Sequence, residues 1–205
     1  MPSGRVLQLG FLASHRGTNL QAILDACKTG RLQARPRVVI SNNSDSGALQ
    51  RARKMGVPAA HLSTYTHSEL GALDGAILAI LQKYGVEVVC LAGYMKRLGP
   101  RTLAAYRGRV LNIHPSLLPK FGGQGFYGEV VHRAVLAAGD RETGATVHLV
   151  DEEYDHGQVL DQVQVPVEPG DSVEILSARV LQQEHRLYVR TLQRIASGEI
   201  ELQGL

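Results

Sequence analysis

Strand-like and helix-like runs alternate along this chain, and that order excludes most architectures before any single residue is considered. Val6 to Leu12 is a mostly apolar run ending in a polar turn, and Leu20 to Ala26 follows with helical spacing. Arg37 to Ser41 reads as a second strand, Ala48 to Met55 as a helix stopped at Gly56, and Pro58 to Leu62 as a short third strand. From Glu69 to Tyr84 the residues Leu73, Ile77, Ile80 and Leu81 form one apolar helical face, which Gly85 closes. Val86 to Ala92 is the most continuously apolar run, the pattern of a strand at the centre of a parallel sheet. Pro100 suits the start of a short helix, and Arg109 to Ile113 is the next strand. Thr146 to Val150 and Val159 to Val167 predict two more strands joined by a loop, and Ser172 to Ile195 a long last helix stopped at Gly198. Ile200 to Leu202 has the length of an added edge strand. This order predicts one α/β domain: a doubly wound, mostly parallel sheet of about seven strands, with helices on both faces.

A chain of 205 residues, 44% of them hydrophobic, can bury a full core without disulfides or a metal. It contains no internal repeat, low-complexity tract or linker. The net charge is only +3, tryptophan is absent, and no lysine/arginine run has the length of a nucleic-acid or membrane patch. A modest positive balance instead suits an anionic small molecule. No apolar run approaches the roughly 20 residues of a membrane helix, and Met1 to Arg5 shows no signal-peptide pattern. Cys27 and Cys90 read as buried thiols rather than a disulfide pair. The expectation is a cytoplasmic protein without nucleic-acid or membrane partners.

The chemistry concentrates in Asn112-Ile113-His114-Pro115-Ser116, directly after the apolar Val110-Leu111. Pro115 cannot continue a strand. Asn112 and His114 are two apart, so on extended chain both side chains point to the same side. Carboxyl ends of strands are where open α/β sheets hold their sites. Two readings stand at this point: a functional amide–imidazole pair, or a strand-end turn whose histidine is satisfied locally. Asp155, two residues before Gly157, is by itself an ordinary turn former. His148 alternates with Thr146 along a strand and can be core.

Elsewhere, Ala13-Ser14-His15-Arg16-Gly17-Thr18-Asn19 precedes a helix. Backbone N–H groups at such a start form an anion site, with Gly17 allowing close approach and Thr18 and Asn19 adding side-chain donors. A simple capped turn fits these residues equally well, and neither the dinucleotide G-x-G-x-x-G nor the P-loop pattern occurs. Leu118 to Gly128 is glycine-rich with interspersed aromatics, either a mobile surface loop or a lid. Glu184 in the last helix is on general grounds a solvated side chain. His148, Asp155 and His156 could imitate a metal cluster, but no spacing matches a zinc motif, and no G-x-S-x-G elbow occurs.

Together these pieces resemble the folate-dependent formyltransferase family over nearly the whole chain. The resemblance rests on Gly17-Thr18-Asn19-Leu20-Gln21-Ala22-Ile23, Leu91-Ala92-Gly93-Tyr94-Met95, Leu111-Asn112-Ile113-His114-Pro115-Ser116-Leu117-Leu118-Pro119-Lys120, Gly144-Ala145-Thr146-Val147-His148, Asp155-His156-Gly157-Gln158 and Gln183-Glu184-His185. It implies one formyltransferase domain over residues 1–205. It also implies transfer of a formyl group from the co-substrate 10-formyltetrahydrofolate to the amine of glycinamide ribonucleotide, in purine synthesis, without a metal. Amine attack puts negative charge on the formyl oxygen, so a donor must be aimed at it beforehand. The resemblance gives that task to Asn112 and His114, with Asp155 favouring a charged His114 and relaying a proton. It also assigns the substrate phosphate to Gly17, Thr18 and Asn19, and the ribose or glycine end to Glu184. The folate is assigned to Tyr94, Met95, Lys96, Leu98, Asn112 and Val150, with the loop from Val150 to Asp155 closing over it. Thr146 and His148 are expected to support His114 and Asp155.

Arg97 stands where family members often carry an aliphatic residue, and the Gly122 to Gly128 loop is longer and more glycine-rich than in many of them. The alternatives are a formyltetrahydrofolate hydrolase, a formyltransferase acting on another amine such as methionyl-tRNA or a sugar nucleotide, and a non-catalytic folate-binding protein. The transfer-RNA enzyme would carry a further C-terminal domain and the hydrolase an N-terminal regulatory one, so the ribonucleotide enzyme, monomer or homodimer, is expected.

Overall fold

The strand at the centre of the sheet is β4 (Val88–Leu91), whose four residues are all buried. A computed structural model describes residues 4–205; positions 1–3, part of the segment read as lacking a signal peptide, lie outside the described residues. Along the chain the elements are β1 (Leu7–Leu12), α1 (Thr18–Lys28), β2 (Ala34–Ser41), α2 (Gly47–Lys54), β3 (Ala59–His61), α3 (Ala72–Lys83), β4, α4 (Pro100–Ala105), β5 (Val110–His114), α5 (Glu129–Ala137), β6 (Glu142–Leu149), β7 (Val159–Pro166) and α6 (Val173–Ala196). The seven strands form one sheet in the order β3-β2-β1-β4-β5-β6-β7.

The pairs from β3 to β5 are parallel, and β6 and β7 are added antiparallel. The strand order reverses between β1 and β4, which opens a crevice beyond their carboxyl ends. Antiparallel β6 and β7 need only a loop between them, and that loop carries Asp155. One core cluster packs α1, α2, α5 and α6 on one face, and a second packs α3 and α4 on the other. The expected doubly wound fold is therefore the observed one.

Three local departures have physical causes. Helix α3 starts at Ala72 rather than Glu69, because Gly71 takes a left-handed backbone conformation, φ 76°, through which a right-handed helix cannot run. No strand forms at Ile200 to Leu202: the Ile200 N–H is committed to the Arg194 carbonyl at the end of α6, while Leu202 is buried in the core. Helix α5, to which the hydrophobic pattern assigns no element, buries Val131, His132 and Val135.

Asp74 of α3 caps α4 across the gap between the helices. Its carboxylate accepts from the Arg101 N–H at 2.8 Å and the Thr102 N–H at 3.1 Å, while Pro100 takes the first-turn position that needs no donor. That junction fixes the start of α4 directly after the segment Gly93 to Gly99, which lines the crevice.

Candidate active site

A cavity of about 810 Å³ opens beyond the carboxyl ends of β1, β4 and β5. Asn112, His114, His148 and Asp155 line its middle, His15, Asn19 and Glu184 one part, and Tyr94, Met95, Lys96, Leu98 and Val150 another. Thr146 is wholly buried behind it, and Gly17 and Thr18 stand outside its lining.

Sheet register explains the middle group. Antiparallel pairing sets Asn112 opposite His148 and His114 opposite Thr146, so these four side chains share one face of the sheet. His148 Nδ1 donates to the Leu149 carbonyl at 2.8 Å, which leaves Nε2 facing the Asn112 amide nitrogen at 3.1 Å. One N–H of that amide is thereby used and the other is left for a ligand. His114 Nε2 donates to the Phe121 carbonyl at 2.9 Å, while its Nδ1 lies 3.4 Å from Asp155. Asp155 adopts a left-handed turn conformation with φ 55° and also lies 3.5 Å from His148 Nε2. The turn former and the His114 partner are the same residue.

Burial pulls the His114 pKa below its usual value; Asp155 and the Phe121 carbonyl oppose this without reversing it. The free site therefore favours an uncharged His114, in contrast to the expectation that Asp155 would keep the ring charged. For Asp155, burial is the largest influence and would raise the pKa. Hydrogen bonding and charge from His148, the charge of His114 and the Gly123 N–H at 3.0 Å together outweigh it and hold the carboxyl below the usual range. An ionised acid thus faces a ring that is neutral but one proton from forming an ion pair with it.

Behind this group Thr146 Oγ1 donates to the Ser116 carbonyl at 2.7 Å and accepts from the Leu118 N–H at 3.1 Å and from Gln162 at 2.8 Å. Gln162 also donates to the Leu118 carbonyl. The turn that leaves His114 is thereby tied to β6 and β7. His156 plays no part: it is exposed and lies 3.9 Å from Glu153.

The α1 start is built as an open helix end. Gly17 precedes it with φ 69°, and a Cβ there would meet the Ala48 Cα at 2.8 Å, so only glycine fits. No side chain caps this end, which leaves its first N–H groups available to an anion. The Asn19 amide nitrogen donates to Glu184 at 2.7 Å, while its Oδ1 is buried without a partner. Glu184 is 8% exposed rather than solvated, and burial raises its pKa to about 6 against the lowering effect of Asn19.

In the Gly93 to Gly99 segment the Ser14 hydroxyl accepts from the Met95 N–H at 2.7 Å and donates to Asn42 at 2.6 Å, joining it to the ends of β1 and β2. Tyr94 is buried, with its hydroxyl unpartnered and its pKa pushed up to about 12 by burial. Met95, Lys96 and Arg97 are exposed at the rim. Arg97 reaches across to the loop after β6, donating to the Glu152 carbonyl with its guanidinium 5.7 Å from the Tyr154 ring centroid. The base of that loop is closed at Gly157, where a Cβ would collide with the Leu149 carbonyl.

The glycine-rich segment contributes Gly123 to Gly128 to the cavity wall. Its Phe121 carbonyl and Gly123 N–H, bonded to His114 and Asp155, were not among the sequence candidates, nor were His132 and Gln162. Backbone groups carry no signal in residue type. His132 carried one only as a polar residue inside a mostly apolar run, and Gln162 carried none, since it is one of several polar residues along β7.

A family model described as formyl transferase matches residues 7–192, and the chain belongs to that family. The chain is 41% identical to phosphoribosylglycinamide formyltransferase of Escherichia coli (strain K12), over 96% of this chain and 90% of that protein. It is 40% identical to the chloroplastic phosphoribosylglycinamide formyltransferase of Vigna unguiculata, over 94% of this chain but only 62% of that longer protein. Among solved structures, glycinamide ribonucleotide transformylase 1 from Symbiobacterium toebii superposes with a TM-score of 0.90 at 44% identity, covering 97% of this chain and 92% of that one.

Proposed function

We propose that this chain, as one formyltransferase domain over residues 1–205, transfers the formyl group of 10-formyltetrahydrofolate to the amine of glycinamide ribonucleotide, in the cytoplasm. The observation that carries this reading is the meeting of Asn112, His114 and Asp155 in the middle of one cavity, between an uncapped helix start and the Gly93 to Gly99 segment.

In this scheme the amine nitrogen attacks the formyl carbon, and the carbonyl electron pair moves onto oxygen. The free N–H of Asn112 donates to that oxygen, and the positive charge that His114 takes up as it is protonated stabilises it electrostatically. The proton released by the amine passes to neutral His114 at Nδ1, directly or through water. The new imidazolium then lies between Asp155 and the Phe121 carbonyl, both of which favour its charge. Collapse of the adduct breaks the bond from the formyl carbon to N10 of the folate, and the proton is delivered to N10. The products are the N-formyl ribonucleotide and tetrahydrofolate. Neither a nucleophilic side chain nor a metal enters this scheme.

The backbone N–H groups of Gly17, Thr18 and Asn19 take the phosphate, aided by the partial positive charge of α1. Glu184 accepts from the ribose or glycine end, Tyr94, Met95, Lys96, Leu98, Asn112 and Val150 hold the folate, Thr146 supports His114 through the turn that follows it, and His148 supports Asn112 and Asp155. The test is an assay of the purified chain with both substrates. Formylation of the ribonucleotide supports the reading. Formate released from the folate alone makes the protein a hydrolase, and folate binding without either product makes it a non-catalytic binder.

A further inference from the structure

The polar side chains in the middle of the cavity already have partners: Asn112 has His148, and His114 has Phe121 and Asp155. Among the described residues, three buried polar atoms on cavity-lining residues have none: Asn19 Oδ1, the Tyr94 hydroxyl and His132 Nδ1. His132 is the imidazole among them. It lies near the start of α5, is only 3% exposed, lines the cavity, and its Nδ1 is buried without a hydrogen-bond partner. Buried polar atoms are ordinarily paired, so an orphan on a cavity wall points to a partner that arrives with a ligand.

Its position narrows which ligand atoms those are. Helix α5 packs against α6, which brings Ser177, Leu181 and Glu184 to the same wall. That wall is the ribonucleotide side of the cavity in the reading above, on which this inference rests. His132 lines the same cavity as Asn112 and His114. Burial chiefly, and His114 secondarily, push the His132 pKa down to about 4, so the ring is uncharged near neutral pH. A neutral imidazole is poorly suited to a phosphate, for which the α1 N-terminus is available, and Glu184 already offers an acceptor to hydroxyls. It suits a neutral group with both a donor and an acceptor. In the proposed substrate that group is the carboxamide between the ribose and the amine.

We propose that His132 binds the carboxamide of the glycinamide arm through a hydrogen bond at Nδ1, and so aims the amine at the formyl carbon. His132 is then a substrate-contacting residue that sets specificity for an amide-linked amine. Its ring accepts or donates according to which face of the amide is presented, and it exchanges no proton with the reacting atoms.

The experiment compares the full-length protein with His132→Phe, which keeps a flat ring without the hydrogen bond, and His132→Asn, which keeps a polar atom near the place of Nδ1. The Phe variant should raise KM for glycinamide ribonucleotide about tenfold, the size of one lost hydrogen bond, with KM for the folate unchanged. The Asn variant should recover most of that loss, and Tm of the Phe variant should equal or exceed that of the parent. An unchanged ribonucleotide KM in the Phe variant, an equal rise in both KM values, or an Asn variant as impaired as the Phe one overturns the proposal. Should the Phe variant fail to fold, the parent protein decides: its His132 ring nitrogen resonances should move on adding the ribonucleotide alone and stay still on adding the folate alone. The absence of a ribonucleotide-induced shift overturns the proposal. A parent that never formylates the ribonucleotide overturns the functional reading itself, whereas turnover with normal His132→Phe kinetics removes only the role of His132.

Discussion

His114 has an acceptor beside each ring nitrogen, the Phe121 carbonyl at Nε2 and Asp155 at Nδ1, yet burial keeps its pKa low. Because Asp155 raises that pKa, Asp155→Asn should lower it further, and a ring titration by NMR that moves upward instead would refute the assignment. The same variant should cut kcat by about 10²–10³-fold with the fold intact, the usual size of losing support for an oxyanion. Glu184 gives a second, opposite-signed test. Its pKa near 6 in the folded protein lies above the ordinary carboxylate value. Between those two values the folded state holds more proton than the unfolded one, so stability falls as pH rises through that window and stays lower above it. Glu184→Gln removes the cost of a buried charge while keeping an acceptor for Asn19. At pH 8 it should raise stability by up to about 2 kcal/mol, roughly 4–8 °C in Tm, with no gain near pH 4. The gain should come with a higher KM for the ribonucleotide. A lower Tm at pH 8 would show that the Glu184 charge is stabilising.

At the scale of elements, the cavity depends on segments held from both sides. The turn after β5 is tied to β6 and β7 through Thr146 and Gln162, and the loop after β6 is tied to the Gly93 to Gly99 segment by Arg97. The Arg97 contact is exposed and joins two loops rather than two packed elements, so its strength is that of a surface cation–π and hydrogen-bond pair. Arg97→Ala should therefore raise KM for the folate only about two- to fivefold and leave the ribonucleotide KM alone. Equal effects on both substrates, measured by steady-state kinetics, would mean that Arg97 does not govern the folate side. An aliphatic residue in this position could pack on the loop but could not bond the Glu152 carbonyl.

For the whole molecule, the cavity takes its walls from the start of α1, β4, β5, β6, the β6–β7 loop, α5 and α6, so no fragment holds it. A ligand seated there binds only the folded chain. Glycinamide ribonucleotide at about 100 times its Kd should add about 2.7 kcal/mol, raising Tm by roughly 5–10 °C in a thermal-shift titration. A Tm that stays constant across the titration would mean that the ribonucleotide does not bind this cavity. The arrangement also places the two antiparallel strands where they matter: reversing direction at β6 is what sets His148 opposite Asn112 and turns the next loop back over His114.

Much of this was legible in the chain itself. The alternating periods specify the order of strands and helices, and an offset of two on an extended segment already puts Asn112 and His114 on one side, because both are consequences of local backbone geometry. Helix α5 was missed because its nine residues, though mostly apolar, directly follow a glycine-rich run and are broken by His132 and Arg133. Asp155 read as an ordinary turn former and Glu184 as a solvated helix residue, because the first shows its partner only when β6 pairs antiparallel with β5, and the second only when α6 crosses the start of α1. The Asn19 amide, available to a phosphate on the sequence alone, is taken by that same long-range contact. Local spacing decides which side of a strand a residue faces; only packing between distant segments decides what it meets there, and with it which groups are buried, which are charged and which are left unpaired for a ligand.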